Sequence, residues 1–286
     1  MTSSGLHSDN GWELDFQFPL PERTEKPRRS GITMIFDKGL GPQETQDLLE
    51  LCTPHIDFWK LGFASSALYP PALLRRKIAL VKSFNISIYP GGTFSEIATV
   101  QGKLYTYLQR ARELGFSAVE ISDGTIQINP RERSEAIKAA REMGLSVLTE
   151  IGKKDGAAPF QPAAMAAQVE RDLRDGASLV IVEARESGKG VTIFDRAGRL
   201  DHEKALKLLR EIGAGAERLI WEAPLSSQQV EFIRLLGVEV NLGNVAPKDV
   251  LALESLRRGL RADTFRLSLE HKKKDAAHSI APLTVI

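Results

Sequence analysis

Between residues 32 and 258 the chain repeats one pattern eight times: a short apolar run, a charged or glycine-rich turn, and an amphipathic helical stretch. The clearest unit begins at Ser178–Val182, a β-branched apolar run typical of a strand that is buried on both faces of a parallel sheet. This run ends abruptly in the charged segment Glu183–Glu186 and then in the glycine-rich turn Ser187–Gly190. One such unit alone would indicate only a strand followed by a solvated loop, but its recurrence indicates a closed scaffold with charge at one edge.

Eight strand and helix pairs predict a single-domain α/β fold, the (β/α)8 TIM barrel, over residues 30–266. The predicted strands are Ile32–Phe36, Ile56–Leu61, Ile86–Tyr89, Ala118–Ile121, Leu145–Ile151, Ser178–Val182, Arg218–Trp221 and Val238–Val240. The predicted helices are Gln43–Cys52, Pro71–Ser83, Gly102–Leu114, Pro130–Met143, Pro162–Arg174, His202–Ile212, Ser226–Leu236 and Lys248–Arg258. A doubly wound open sheet is the alternative, but the turn after its first strand would be only Asp37–Gly41, which lacks the usual glycine fingerprint.

Both ends of the chain differ in composition from the repeating part. Residues 1–29 are polar and proline-containing, and they predict an extended or disordered N-terminal arm. Residues 267–286 lie beyond the eight units and predict a mobile C-terminal tail.

Charge and composition exclude several classes of function. The 38 Lys and Arg residues nearly balance the 37 Asp and Glu residues and are dispersed, which argues against a nucleic-acid partner. No apolar run approaches the roughly 20 residues that span a bilayer, and the first residues lack a secretory signal pattern. The single cysteine, Cys52, fits a reducing compartment and a packing role. We therefore expect a cytoplasmic protein without a membrane partner, and we leave a homo-oligomer open.

Ionisable and amide side chains follow nearly every predicted strand at its carboxyl end, where the active sites of such barrels lie. Cations at this end suit an anionic substrate, because guanidinium and ammonium groups bind phosphates and carboxylates. Glycine turns also bring backbone N–H groups close to an oxyanion. The candidate substrate-binding residues are Lys60, Arg185, Ser187, Gly188, Asn241 and Asn244.

Carboxylates at the same end allow two interpretations. Glu150 and Glu183 are candidate ligands of Mg²⁺, which prefers oxygen donors. Carboxylates beside lysines are as often paired in salt bridges, so both interpretations stay open. No His or Cys follows a predicted strand, so acid–base chemistry falls to lysine or carboxylate side chains, with Lys153 and Lys154 as the candidates.

Several motifs occur together in an order that resembles the phosphosulfolactate synthase family, and the likeness extends from about Gly31 to Phe265. The motifs are Lys60–Gly62, Tyr89–Thr93, Glu120–Gly124, Glu150–Lys154, Glu183–Gly188, Glu222–Pro224, Gln228–Gln229, Asn241–Asn244 and Gly259–Phe265. The resemblance implies a (β/α)8 barrel that adds sulfite to phosphoenolpyruvate, with Mg²⁺, to give (2R)-phospho-3-sulfolactate. In methanogens this reaction begins coenzyme M biosynthesis, and bacterial relatives are linked to sulfolactate production.

The resemblance also implies roles for individual residues. Lys153 matches the lysine that protonates the phosphate-bearing carbon, with Lys154 as the close alternative. The chain departs from the family pattern at Phe63–Ser66, where Trp-Gly-Thr-Ser is usual, and at Phe94–Glu96, where Leu-Phe-Glu is usual. These departures leave two alternatives open. One is another barrel lyase or aldolase with Lys153 as a Schiff-base amine, and the other is a non-catalytic, stress-related member of the family.

Overall fold

The computed structural model describes residues 17–21 and 23–269. Its strands are β1 (Thr33–Asp37), β2 (Phe58–Leu61), β3 (Ser87–Pro90), β4 (Ala118–Ile121), β5 (Ser146–Ile151), β6 (Leu179–Val182), β7 (Leu219–Glu222) and β8 (Leu242–Val245). They form one eight-stranded sheet in the order β3-β2-β1-β8-β7-β6-β5-β4, and every paired neighbour is parallel. The outer strands β3 and β4 meet through Ser117, whose backbone N–H donates to the carbonyl of Ile88 at 3.2 Å. The predicted single-domain (β/α)8 barrel is confirmed.

Helices surround this barrel and cover its outer face. They are α1 (Pro42–Cys52), α2 (Pro71–Ser83), α3 (Gly92–Val100), α4 (Leu104–Leu114), α5 (Pro130–Glu142), α6 (Pro162–Asp175), α7 (His202–Ile212), α8 (Ser226–Leu236) and α9 (Val250–Arg257). The larger apolar core lies between strands and helices, and a smaller one fills the barrel itself with Met34, Tyr89, Leu148, Ile181 and Ile220. Because both faces of each strand are buried, the strands read in sequence as continuous apolar runs.

The prediction of the eighth strand was wrong by several residues. The predicted Val238–Val240 lies in a turn, and the strand is β8, Leu242–Val245. The carbonyls of Val238 and Val240 accept hydrogen bonds from the buried Arg257 guanidinium, the latter at 2.8 Å. These carbonyls are therefore committed to a side chain instead of the sheet. A helix was also missed, since α3 begins directly after β3, where the sequence predicted only a turn.

The described part of the N-terminal arm packs across the amino end of the barrel. Leu20 is buried, and the buried Arg23 guanidinium lies 3.1 Å from both Glu254 and Glu239. At the other end of the chain, residues 262–269 are helical. The rest of the predicted tail, from residue 270, lies outside the described residues, as do residues 1–16 of the arm.

Two further expectations can be placed on this fold. Among residues 17–21 and 23–269, no helix combines the length and the apolar character needed to cross a membrane. Cys52 is buried in α1, within the apolar core, as its predicted packing role requires.

Candidate active site

Strand alternation places a set of charged side chains in the mouth of the barrel, meaning the carboxyl ends of its eight strands. Leu148, Ile181 and Ile220 point into the barrel core, and side chains two residues further along a strand point the same way. Those positions are Glu150, Glu183 and Glu222, each nearly inaccessible to solvent. With two further buried glutamates from β4 and α3 they form the glutamate cluster: Glu96, Glu120, Glu150, Glu183 and Glu222.

Lys60 connects two sides of this cluster. Its Nζ lies 3.1 Å from carboxylate oxygens of both Glu120 on β4 and Glu222 on β7. Burial by itself lowers the pKa of Lys60, but the two carboxylates outweigh burial and raise that pKa well above its usual value. Lys60 is therefore a permanent cation at the floor of the mouth.

Lys154 is the second cation of the mouth. Its Nζ lies 3.0 Å from Glu96, 3.6 Å from Glu150 and 3.8 Å from Glu183. Burial lowers the pKa of Lys154, and the carboxylates, first Glu150 and then Glu183 and Glu96, more than reverse this and raise it. A quarter of the side chain stays exposed, so this protonated ammonium group is accessible from the mouth.

A hydroxyl and a carboxyl pair complete the centre of the site. Ser122 lies between two glutamates, with its Oγ 2.5 Å from Glu96 and 2.7 Å from Glu150. Glu150 and Glu183 are also hydrogen-bonded to each other. Burial raises the pKa of Glu150, but Lys154, Lys60 and these hydrogen bonds prevail and lower it to about 2. Burial and the charge of Glu150 raise the pKa of Glu183 well above its usual range, so the pair shares one proton.

The cluster holds more negative charge than its lysines neutralise. Five glutamates face two lysines, and burial raises the pKa of Glu120 to about 7 although Lys60 opposes this. An anionic substrate would be repelled by such a mouth unless protons or a metal cation supplied the missing positive charge.

The amino end of α3 opens onto the same cluster. The first turn of a helix has N–H groups without intrahelical partners and is attractive to anions. Gly92 begins α3, and a Cβ at this position would overlap the Glu120 carboxylate and lie 2.6 Å from Cβ of Ser122. Only glycine allows the helix start to approach the cluster this closely.

Lys153 has different surroundings. Its Nζ donates to the Asp123 carboxylate at 2.9 Å and to the carbonyls of Asp123, at 2.5 Å, and Ile126, at 2.9 Å. These contacts hold the loop after β4, and the side chain is 40% exposed. The structure brings Lys154, and not Lys153, together with the glutamate cluster.

The other predicted substrate-binding residues fall into two groups. Arg185, Ser187 and Gly188 follow β6 at the mouth; Arg185 and Ser187 are exposed, and within residues 17–21 and 23–269 the Arg185 guanidinium has no hydrogen bond or ion pair. Gly188 is buried, and its carbonyl accepts a hydrogen bond of 2.7 Å from Gln228.

The two asparagines near β8 lie at different levels. Asn241 precedes β8 at the amino end of the barrel, where it bonds the carbonyls of Glu217 and Leu219 and the N–H of Ile32. It is far along the strand direction from the mouth because the strand itself lies later than predicted. Asn244 lies within β8 with a φ of 53°, and its buried Oδ1 has no hydrogen-bond partner in the described part of the chain.

The predicted magnesium ligands were tested against the donor set. Within the described residues no group of three or more His, Cys, Asp or Glu side chains is arranged as a complete metal site. Mg²⁺, however, is commonly held by one or two carboxylates together with waters and substrate oxygens. The buried, hydrogen-bonded pair of Glu150 and Glu183 fits that requirement.

Sequence reasoning missed Glu96 and Arg133 as parts of the site. Glu96 lies on the unpredicted helix α3. Arg133 is buried on α5, where it bonds Asp172 at 2.7 Å and the carbonyl of Glu150 at 2.9 Å, and so fixes the end of β5. The available signals were the Gly91–Thr93 turn followed by a helix-length stretch, and an arginine on the otherwise apolar face of α5.

Comparison with known proteins decides the family. A family model described as (2R)-phospho-3-sulfolactate synthase (ComA) matches residues 21–263. The chain belongs to this phosphosulfolactate synthase family. It is 43% identical over 252 residues to the phosphosulfolactate synthase of Methanothermobacter thermautotrophicus, covering 87% of this chain and 97% of the relative. It is 34% identical over 255 residues to that of Bacillus subtilis, covering 88% and 99%. The chain is thus an enzyme of the phosphosulfolactate synthase type, a lyase.

Solved structures of similar shape support the fold of this family member. A 3-hexulose-6-phosphate synthase from Salmonella typhimurium has a TM-score of 0.51 at 16% identity, covering 84% of this chain and 99% of that chain. The YdjI aldolase from Escherichia coli has a TM-score of 0.52 at 12% identity, covering 86% and 91%. At such low identity these likenesses show the barrel fold alone.

Proposed function

We propose that this protein adds sulfite to phosphoenolpyruvate, giving (2R)-phospho-3-sulfolactate, with Mg²⁺ as cofactor and Lys154 as the proton donor. The family membership supports the reaction. The single observation behind the residue assignment is the Lys154 ammonium group, which lies in the mouth 3.0–3.8 Å from three buried glutamates.

The reaction requires positioning more than activation of the nucleophile. The sulfur lone pair of sulfite forms a C–S bond to the methylene carbon of phosphoenolpyruvate. The electrons of the double bond move toward the phosphate-bearing carbon and onto its carboxylate, which becomes a dianionic aci-carboxylate. One proton delivered to the phosphate-bearing carbon completes the product. The enzyme therefore needs preorganised positive charge at the carboxylate and a proton donor on one face.

Lys154 suits the second requirement. Its raised pKa keeps the ammonium group protonated at neutral pH, and the carbanion-like carbon of the dianion is basic enough to accept that proton. Glu96 at 3.0 Å orients the ammonium group. The same raised pKa opposes the Schiff-base alternative for this lysine, since an imine-forming amine must be neutral when it attacks.

Anionic substrate groups have three sources of positive charge in the mouth. Lys60 is a permanent cation at its floor, the amino end of α3 presents free N–H groups, and Arg185 projects without an ion pair in the described structure. We assign the phosphate or sulfonate group to Arg185 with the turn Ser187–Gly190, and the carboxylate to the Lys60 side.

Glu150 and Glu183 are the residues that would hold Mg²⁺. A bound divalent cation would stabilise the developing charge on the carboxylate oxygens of the substrate. The surplus of glutamates over lysines supports this assignment, because an anionic substrate otherwise meets net negative charge.

An activity assay tests the proposal. Purified protein is incubated with phosphoenolpyruvate, sulfite and Mg²⁺; loss of the enol absorbance is followed, and the product is identified by ³¹P NMR and mass spectrometry. Formation of phosphosulfolactate dependent on both substrates is expected. No product, or covalent trapping of a lysine by borohydride in the presence of substrate, would contradict the proposed reaction and favour a different lyase or a non-catalytic role.

A further inference from the structure

An apolar cavity of about 280 Å³ lies outside the barrel, behind α3 as seen from the mouth. Residues of α2, α3, α4 and the end of β3 line it, among them Leu74, Pro90, Phe94, Tyr107 and Phe116. Its size and largely apolar lining suit a small molecule with an aromatic or branched body.

Two buried hydroxyl groups belong to this cavity. Tyr107 and Ser66 both line it, and their side chains are only 8% and 5% exposed. Neither hydroxyl has a hydrogen-bond partner in the described part of the chain. Buried polar groups are nearly always satisfied, and leaving one unpaired costs about 1–3 kcal/mol. Two such groups at one cavity indicate an occupant that accepts or donates hydrogen bonds.

The edge of the cavity is cationic. Lys103 and Arg110 line it and are exposed. Arg110 is paired with Glu113 at 2.9 Å, whereas Lys103 has no ion pair among residues 17–21 and 23–269. An occupant with a negative group at one end therefore complements the charge of this edge.

We propose that this cavity binds a small anion with an apolar body, such as an aromatic carboxylate, and that binding is coupled to the active site through α3. Ser66 and Phe94 both lie in the two segments in which the chain departs from the family pattern. The proposed site is thus formed in part by residues particular to this chain.

Helix α3 has two faces that serve two sites. Phe94, Ile97 and Ala98 line the cavity at a spacing of three and four residues. On the opposite face, Ser95 accepts a hydrogen bond from the N–H of Ser122, and Glu96 contacts Ser122 and Lys154. A ligand packed against the first face would shift or stiffen the second, and Glu96 would transmit that change to the proton donor.

Tyr107 provides a second link between cavity and site. Burial, and in second place the charge of Glu120, raise the pKa of its hydroxyl. The hydroxyl is thus close enough to the glutamate cluster to sense its charge.

Binding is tested first without any use of catalysis. Ligand-observed NMR and the shift in melting temperature are measured with 3-phenylpropanoate, and with 3-phenylpropylamine as a probe of the same body and opposite charge. We expect the carboxylate to bind and the amine to bind at least about tenfold more weakly, as loss of one charge-assisted contact predicts.

Two variants locate the binding. Ala67→Trp places an indole at the exposed edge of the cavity, so it should abolish binding while the protein stays folded. Tyr107→Phe removes the unpaired hydroxyl; it should raise the melting temperature of the free protein and weaken carboxylate binding by about tenfold, the equivalent of one hydrogen bond. Leu206→Trp, at an exposed position on α7, is the matched control for a surface indole and should bind the probe normally.

Coupling is then measured as the change in kcat on saturation with 3-phenylpropanoate, in wild type and in Ala67→Trp. This readout depends on the proposed function, whereas the binding assay does not, so failure of one is distinguishable from failure of the other. Absence of binding, or equal binding to Ala67→Trp, would overturn the proposed site. A stable oligomer that Ala67→Trp dissociates, seen by analytical ultracentrifugation, would instead assign the cavity to a second copy of the chain. Binding with unchanged kcat would refute the coupling through α3.

Discussion

Lys153 and Lys154 are adjacent in sequence, but their ammonium groups belong to different parts of the molecule. Nζ of Lys154 lies 3.0 Å from Glu96 in the mouth of the barrel, and Nζ of Lys153 lies 2.9 Å from Asp123 in the loop after β4. The turn at Gly152, with a φ of 101°, lies between the end of β5 and these residues. The first lysine stabilises a loop, and the second faces the site where a substrate would be protonated.

Replacing Lys154 should therefore abolish turnover, and replacing its neighbour should not. We expect Lys154→Ala to lower kcat by about 10²–10⁴, the usual loss for a general acid. Lys154→Arg keeps the positive charge but holds its proton too tightly to donate it, so its kcat should fall similarly while phosphoenolpyruvate binding persists. Steady-state kinetics together with equilibrium binding of phosphoenolpyruvate separate the two effects.

Lys153→Ala is the matched control for this experiment. A partly exposed ion pair contributes about 0–1 kcal/mol, so its kcat should change by less than about tenfold. If Lys153→Ala were inactive and Lys154→Arg active, the assignment would be reversed and Lys153 would be the donor.

Removal of divalent cations should abolish activity, because the glutamate cluster has too little positive charge to admit an anionic substrate. Glu150→Gln and Glu183→Gln should each raise the Mg²⁺ concentration needed for half-maximal rate. Glu186→Gln is the control: Glu186 follows β6 as well, but it is exposed and paired only with Lys38 at 3.2 Å. Undiminished turnover after exhaustive chelation would show that protons or lysines alone neutralise the cluster.

The close approach of α3 to the cluster can be tested at Gly92. In Gly92→Ala the new Cβ would overlap the Glu120 carboxylate, so either α3 or Glu120 must move. A displacement of about 1 Å at a catalytic site can cost about 10²-fold in rate, and kcat/KM should fall accordingly. In Gly41→Ala the backbone has an ordinary φ of −68° and the nearest atom would lie 3.3 Å away, so wild-type kinetics are expected.

The barrel could be predicted from sequence because its strands are buried on both faces. A parallel strand covered by helices appears as an uninterrupted apolar run, and seven of the eight runs correspond to strands within two residues at each end. The eighth did not, because Val238 and Val240 are equally apolar but bond Arg257. Such a long-range contact has no local signature.

The site was predictable only as far as strand periodicity extends. Glu150 lies within β5, and Glu183 directly follows β6, so their inward direction follows from alternation along each strand. Lys153 and Lys154 come after Gly152, where the alternation ends, so sequence could not decide which lysine faces the mouth. Glu96 escaped notice because it reaches the site from a helix inserted between β3 and α4.

Two glutamates should give the stability of the metal-free protein opposite dependences on pH. The pKa of Glu120 is raised by burial, from 4.5 to about 7. Between these values the unfolded chain releases this proton and the folded chain keeps it, so Glu120 makes the free energy of unfolding fall as pH rises from about 4.5 to about 7. At the amino end of the barrel, Glu254 has a lowered pKa, since its pairing with Arg23 and His55 outweighs burial. The stability from Glu254 is therefore present above 4.5 and lost as pH falls through its lowered pKa.

Urea unfolding in EDTA, at intervals between pH 3 and pH 8, measures both slopes in the same protein. Glu120→Gln should flatten the decline between about pH 4.5 and pH 7, and Glu254→Gln should flatten the loss below about pH 4.5. Each variant is judged by its slope, because an amide in a buried site also changes stability at every pH. Each serves as the control for the other, since the two residues lie at opposite ends of the barrel and titrate in different windows. An unchanged slope in Glu120→Gln would mean that Glu120 is ionised throughout, and that the surplus negative charge of the cluster is neutralised at another glutamate.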